Sequence, residues 1–312
     1  MNWITKAFNL GQKIKKILKK RPTKDEVEKS DWTSCCTGPI LKKDLANNLW
    51  VCNSCGKHHR INCLQRFDVL FGKNNYEIIK TPIPKNEDPL NWSDTKSYKE
   101  RLEDAKDKTG QDCAIMIAKG TINNIEITAA SSNFSFLGGS ISISESEALL
   151  YAVQHSIDKN TPFINFCSGG GMRMMASVFS LTKGMAGVTV AINKLKEAKL
   201  PYISCIVDPC AGGITASYAM TADIIIGEIG ALCAFAGRRV VQATVKEELP
   251  SDFQSVEYLE KHGFIDKVVH RKDLNKEISN ILSLLLNKNT EVNLKERNET
   301  SENSQSLTRE AS

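Results

Sequence analysis

The chain has no stretch approaching the roughly 18 uninterrupted apolar residues that a membrane-spanning helix needs. Its longest apolar run, around Ala222 to Phe235, is broken by Asp223, Gly227, Glu228 and Gly230. A soluble protein without a membrane span is the expectation. The N-terminus also lacks the unbroken apolar core and small-residue cleavage site of a secretory signal, so a cytoplasmic location is expected. Histidine is scarce: of five, the three beyond the first sixty residues, His155, His262 and His270, stand in no triad motif. Neither G-x-x-x-x-G-K-[ST] nor G-x-G-x-x-G occurs at the glycine pairs described below, which removes the two common phosphate-cradle readings.

Charge is nearly balanced, with 41 Lys and Arg against 36 Asp and Glu. Much of the excess lies in the first two dozen residues, where Lys6, Lys13, Lys15, Lys16, Lys19, Lys20, Arg21 and Lys24 surround Trp3, Ile4, Phe8, Leu10, Ile14, Ile17 and Leu18. That pattern predicts a short basic amphipathic helix, read as a solvated or partner-docking segment, with membrane or nucleic-acid contact as the alternatives. Ten cysteines without a secretory signal point to a reducing compartment, where thiols fill cores or bind metal. Cys113, Cys167, Cys205 and Cys233 sit among apolar neighbours and are expected in the core.

Composition divides the chain into a basic tail (1–30), a cysteine-bearing module (31–60), a linker leading into the main domain (61–96), the main domain (97–285) and a polar tail (286–312) expected to be disordered. Within the main domain "DCAIMIAKGTINNIEITAASS" reads as a hairpin with Asn123 and Asn124 at its turn. "TPFINFCSGG" and "LPYISCIVDPCAGG" read as equivalent strands, each ending in a glycine pair. Met172 to Ala198 reads as a long helix between them, and "ITASYAMTA" as a helix after the second; "DIIIGE" and "ALCAFA" are short strands. The recurring order strand, strand, helix predicts a layered α/β superhelix.

A strand that stops at Gly-Gly and opens a helix presents backbone N–H groups at the positive end of a helix dipole. A developing oxyanion on a carbonyl suits such a place. The plain alternative is that the glycines only permit close packing or a positive φ. Two equivalent pairs, Gly169-Gly170 and Gly212-Gly213, with a third at Gly138-Gly139, favour a ligand site. Ser168 precedes the first of these, but no glycine stands two residues before it, so the nucleophile elbow is incomplete. Chemistry without a side-chain nucleophile suits proton removal or carboxyl transfer at an activated thioester.

The segments "YKERLEDAKDKTGQDCAIMIAKGTI", "FSFLGGS", "SGGG", "LPYISCIVDPCAGGITASYAM" and "ALCAFAGRRVVQATVKEELPSDFQSVEYLEKHGFIDKVVHR", with "MNWI" at the start, closely resemble the carboxyltransferase beta subunits of bacterial and plastid acetyl-CoA carboxylases. The likeness runs in order from Trp32 to Arg271. It implies a ClpP/crotonase-type ββα superhelix behind a small zinc ribbon. It also implies an alpha-subunit partner in a heterotetramer of two alpha and two beta chains, working with a biotin carboxyl carrier protein and a biotin carboxylase. The implied reaction moves a carboxyl group from carrier-bound biotin to acetyl-CoA, giving malonyl-CoA, the first committed step of fatty acid synthesis. Other acyl-CoA carboxyltransferases or decarboxylases of the same fold are the runner-up.

By that resemblance Gly212 and Gly213 are the oxyanion-stabilising catalytic pair. Gly138, Gly139, Gly169 and Gly170 shape the CoA side, and Phe235, Gly237 and Arg238 belong to a segment closing the pocket. The chain departs from the family in two places. The helix that usually begins Ala-Arg-Met-Gln-Glu here runs "GMRMMAS", losing both polar side chains, and the Met-Gly-Ser-Val-Val-Gly that usually follows "LGGS" is replaced by "ISISESEALL". Reduced turnover is the expectation.

The family ribbon carries two C-x2-C pairs. Cys52 and Cys55 keep the knuckle spacing, whereas the first pair is replaced by adjacent Cys35 and Cys36, with Gly38 at the usual second ligand position. Zinc on Cys35, Cys36, Cys52 and Cys55, or with His58 or His59 as fourth ligand, stands against a decayed ribbon held by packing. A ribbon beside a lysine-rich tail also suits nucleic acid, but aromatics are sparse near the basic stretch, and this remains the competing class.

Overall fold

The computed structural model describes residues 32–35 and 38–287, divided into two compact units, 1–59 and 60–312. The basic N-terminal tail, Cys36 and the polar tail from residue 288 lie outside the described residues.

In the first unit β1 (Trp32–Cys35) pairs antiparallel with β2 (Gly38–Leu41), and α1 (Lys42–Asn47) follows. A bridge between Val51 and His58 closes a second, tight turn. In it Cys52 accepts from Gly56 N at 2.9 Å and donates to Lys57 O at 2.9 Å, with Gly56 at φ +71°.

The second unit is built on one sheet with strand order β10-β8-β7-β6-β5-β4-β3, with β9 pairing beside β7. β3 (Tyr76–Ile79), β4 (Ile115–Ile122) and β5 (Ile125–Ser132) are antiparallel neighbours. β6 (Phe163–Gly169), β7 (Tyr202–Ala211), β8 (Ile224–Glu228), β9 (Cys233–Ala234) and β10 (Lys267–Val269) run parallel to their neighbours. The β4–β5 hairpin turns at Asn123 (φ 44°) and Asn124 (φ 60°), two left-handed residues that match the strand twist, as the sequence predicts.

Alternate β7 side chains feed two apolar layers. Tyr202, Ile206 and Cys210 meet Ala148, Leu149, Val153, Ile192 and Leu195 on one face of the sheet. Ile203, Cys205 and Val207 meet Phe67, Leu70, Ile278 and Leu282 on the other. Helices therefore cover both faces, as a buried parallel sheet requires. The first layer is supplied by α4 (Ile143–Lys159) and α5 (Met174–Glu197), which return the chain between parallel strands. α2 (Cys63–Phe71) and α8 (Leu274–Leu285) supply the second, while α7 (Val256–Lys261) precedes β10. α3 (Tyr98–Thr109) begins on a Ser97 cap and ends on left-handed Gly110.

Three expectations need correction. Residues 61–96 are more than a linker: they contain α2 and the edge strand β3. α2 opens on a reciprocal Asn62–Gln65 capping box and buries Phe67, Leu70 and Phe71. Phe71 seats over Gly120, where an added Cβ would lie 2.5 Å from its ring. Second, the run after Gly213 is not a helix but a series of turns ending in a short 3-10 segment, Tyr218–Met220. Third, α5 is not one regular helix: it opens as a 3-10 turn over Met174–Ala176, breaks at Ser177 (φ 41°, ψ −119°) and widens to a π-type stretch over Ser180–Gly187. α5 is also long and apolar enough to cross a membrane by length and composition, although no uninterrupted apolar run announced it. One face, Ser180, Gly184, Val188, Ile192 and Leu195, packs inward, while Met174, Val178, Leu181 and Val190 are exposed.

Candidate active site

The three glycine turns come together at the ends of β6 and β7. Gly169, at φ +145°, lies so close to the first turn that a Cβ on it would stand 2.2 Å from Gly139 O. A Cβ on Gly171 would stand 3.1 Å from Gly213 N, and one on Gly212 3.2 Å from both Gly170 O and Gly171 Cα. The turns thus form a ladder of bare backbone, 138–139 against 169–170 and 170–171 against 212–213. Only glycine allows this approach at Gly169, where the φ is outside the ordinary L-residue regions as well.

Accounting for the amides separates the candidates. Gly212 N–H is spent on the carbonyls of Ala234 (3.0 Å) and Phe235 (3.1 Å), which departs from the expectation that both amides of this pair are bare. Gly170 N donates to Gly138 O at 2.9 Å and Gly139 N to Phe136 O at 2.8 Å. The amides of Gly213 and Gly171 have no acceptor among the described residues. Gly213 opens a single helical turn in which Ala216 N and Thr215 Oγ both bind Gly212 O, so its N–H is one of the orphan donors of a helix start. Met172 and Met185 close over its α-carbon: an added Cβ would meet Met172 Cγ at 2.7 Å and Met185 Sδ at 3.1 Å.

No side chain here is set up as a nucleophile. Ser168 Oγ donates to Pro209 O at 3.1 Å. The three histidines are engaged elsewhere, His155 with Thr128, His262 with Tyr258 O and His270 with Lys272 N. Cys113, Cys167, Cys205 and Cys233 are core residues as expected, and burial pushes the thiols of Cys167 up to about 12 and Cys233 up to about 11. Of the segment predicted to close the pocket, Phe235 is 72% exposed. Arg238 donates to the carbonyls of Leu249, Pro250 and Ser251, tying α6 (Arg238–Val245) to the loop after it.

Beside Gly138 the surface opens into a cavity of about 550 Å³ lined by Lys96, Arg101, Asp104, Lys108, Phe134 and Leu137. Three cations face one carboxylate. Lys96 pairs with Asp104 and Arg101 with Asp94, and the Arg60 guanidinium covers the Phe134 ring at 4.4 Å. The motif reading passed over these residues; the signal was the cationic spacing in "TKSYKERLEDAKDK", which helix α3 and the loop before it gather at one rim.

A family model for the carboxyl transferase domain matches residues 92–306. The chain is 59% identical, over the full length of both, to the acetyl-coenzyme A carboxylase carboxyl transferase subunit beta of Pelagibacter ubique (strain HTCC1062). It belongs to that family. The same-named protein of Xanthobacter autotrophicus is 39% identical over 92% of this chain and 94% of its own. In fold the chain is similar to transcarboxylase 12S, with a TM-score of 0.58 and 21% identity over 72% of this chain, which spans 41% of that one. It is also similar to a Pseudomonas malonate decarboxylase hetero-dimer, TM-score 0.54 and 14% identity, over 72% and 86% of the two chains. The α/β architecture is that of the crotonase-like carboxyltransferases.

In this beta-subunit family member the cysteine module keeps a metal-sized cluster. The sulfur atoms of Cys35, Cys52 and Cys55 all lie within 4.8 Å of one another, and Cys35 and Cys55 are 3.4 Å apart. A tetrahedral site with Zn–S near 2.3 Å separates its sulfurs by about 3.8 Å, so three thiolates fit. The backbone amides of Cys55 and Ser54 pull the Cys52 thiol from 9.0 down to about 6. Neither His58 nor His59 joins the cluster among the described residues.

Proposed function

We propose that this chain supplies the acyl-thioester half of an acetyl-CoA carboxylase carboxyltransferase, acting with an alpha subunit and a biotin carrier protein. The observation that carries this reading is the acceptorless Gly213 amide at the start of a helical turn, beside glycine turns that leave bare backbone for a substrate to approach. With acetyl-CoA in place, its thioester oxygen lies against the Gly213 amide, which holds the negative charge as the enolate forms. Gly212 contributes its left-handed turn (φ +64°) rather than its N–H. Gly138, Gly139, Gly169 and Gly170 shape the approach of the thioester, and Phe235, Gly237 and Arg238 flank it.

When bound, carrier-linked carboxybiotin would supply the carboxyl group and, after its release, the base for the methyl proton. The chain then need provide no general base of its own, in keeping with the absence of an activated histidine or serine at the turns. The cavity rimmed by Lys96, Arg101 and Lys108 is sized and charged for the phosphates of the CoA nucleotide. Cys35, Cys52 and Cys55 would hold a zinc ion whose task is structural, closing a unit too small for a core of its own.

The test is carboxyl transfer from malonyl-CoA to free biotin by the chain alone and mixed with its cognate alpha subunit. Turnover confined to the mixture is the expected result. A stable mixture without turnover would overturn the reading.

A further inference from the structure

Arg173 and Glu145 form an ion pair at 2.9 Å with side chains 2% and 0% exposed. Several bonds around it reach the residues beside the glycine turns. Arg173 Nη2 also donates to Ser140 O (2.6 Å), Nε to Ser140 Oγ (3.1 Å) and Nη1 to the Tyr98 hydroxyl (2.9 Å). Ser140 directly follows Gly139, and Arg173 stands two residues after Gly171. Their backbones are bonded as well: Arg173 N to Ile141 O at 2.7 Å, and Ile141 N to Gly171 O at 2.9 Å. Glu145 is itself fixed by the amides of Ser142 (2.9 Å) and Ala114 (3.1 Å). Burial alone would lower the Arg173 pKa, but Glu145 and Tyr98 more than offset it, so the net shift is upward and the guanidinium stays charged.

We propose that Glu145 is a positioning residue for carboxyl transfer: through Arg173 it locks the Gly138–Gly139 turn to the Gly169–Gly171 turn, against which Gly213 rests. The inference rests on the carboxyltransferase reading given above. The contacts from Gly139 to Gly169 and from Gly171 to Gly213 are between backbones with no side chain to yield. A displacement at Ser140 or Arg173 is therefore passed to the Gly213 amide rather than absorbed. Misplacement by about 1 Å at a reacting centre costs on the order of 10²-fold in rate.

The two segments in which the sequence departs from the family pattern are the two ends of this network. Met175 and Ala176 stand where Gln and Glu usually follow the Arg-Met pair, and Glu145 stands where the pattern has Val.

The experiment uses the complex with the alpha subunit and compares Glu145→Gln, Glu145→Val, Arg173→Lys and Tyr98→Phe, following kcat, KM for malonyl-CoA and thermal midpoint. Glu145→Gln keeps volume and an acceptor, and is expected to melt near the parent while its kcat falls at least tenfold and KM changes less than twofold. Glu145→Val, which leaves the buried Arg173 guanidinium without its carboxylate, is expected to lose at least 100-fold. Tyr98→Phe loses the hydroxyl that accepts from Nη1 and donates to Ser142 Oγ, and is expected to fall several-fold. The losses for Glu145→Gln and Arg173→Lys are expected to be strongly non-additive in the double variant, because both act through one contact. Folded Glu145→Gln with parental kcat, or losses proportional to the unfolded fraction, would overturn the inference while leaving the carboxyltransferase reading intact. Absence of turnover in the parent complex would overturn both.

Discussion

Replacing Gly169 by alanine tests the glycine ladder at its tightest rung. Its Cβ would stand 2.2 Å from Gly139 O, 2.7 Å from Gly139 C and 2.8 Å from Ile214 Cδ1, at a φ of +145°. The first two of these atoms are backbone, so no rotamer change relieves the clash. A φ this far from any L-residue well costs about 1–3 kcal/mol, and overpacking a rigid site adds about 1–3 kcal/mol more. A loss near 4 kcal/mol is a large part of the roughly 5–15 kcal/mol that holds a domain together. For a unit of this size it lowers the thermal midpoint by roughly 10 °C. Gly170 is the internal control. Its added Cβ meets nothing nearer than Gly138 O at 3.8 Å, and it needs no positive φ, so Gly170→Ala is expected to cost less than about 1 kcal/mol. The assay is thermal unfolding followed by far-ultraviolet circular dichroism on both variants and the parent. Equal midpoints for Gly169→Ala and Gly170→Ala would refute the reasoning, because the clash with Gly139 and the φ of +145° are found at Gly169 and not at Gly170.

Two further outcomes follow from the cavity and the cysteine cluster. Lys108→Ala is expected to raise KM for malonyl-CoA several-fold while leaving kinetics with malonyl-pantetheine, which lacks the nucleotide, unchanged; equal effects on both substrates would remove the nucleotide phosphates from this cavity. Purified protein is expected to carry about one zinc per chain, lost in Cys52→Ser along with proteolytic resistance of the first unit but not of the second; unchanged zinc content would show that the cluster does not hold the ion.

The hairpin and the strands leading to the glycine pairs were legible because their signals are local. Asn123-Asn124 between alternating apolar residues specifies its own turn, and runs such as "YISCIV" have few alternatives. α2 was missed because its apolar residues are interleaved with Arg66 and Asp68, although Asn62-x-x-Gln65 followed by Phe67, Leu70 and Phe71 is a legible helix start. The turn after Gly213 mimics a helix in composition. Thr215 and Ser217 instead return their hydroxyls to Gly212 O and Gly213 O, and Ser217 leaves the helical region altogether. Three glycine pairs could be found by eye. Which amide stays bare could not, because Gly212 is silenced by carbonyls at Ala234 and Phe235, more than twenty residues along the chain. The Glu145–Arg173 pair was hidden for the same reason: its members lie 28 residues apart and meet only when β6 sets its glycine turn beside the start of α4.

The central claim is that the Gly213 amide carries the developing negative charge. Exchanging Gly213 for glycolic acid turns that amide into an ester and deletes the N–H with almost nothing else. Assayed with the alpha subunit for transfer from malonyl-CoA to biotin, this variant is expected to lose about 10²- to 10³-fold in kcat, the usual worth of one oxyanion donor, with the Kd for CoA within twofold of the parent. A kcat within twofold of the parent would contradict the account.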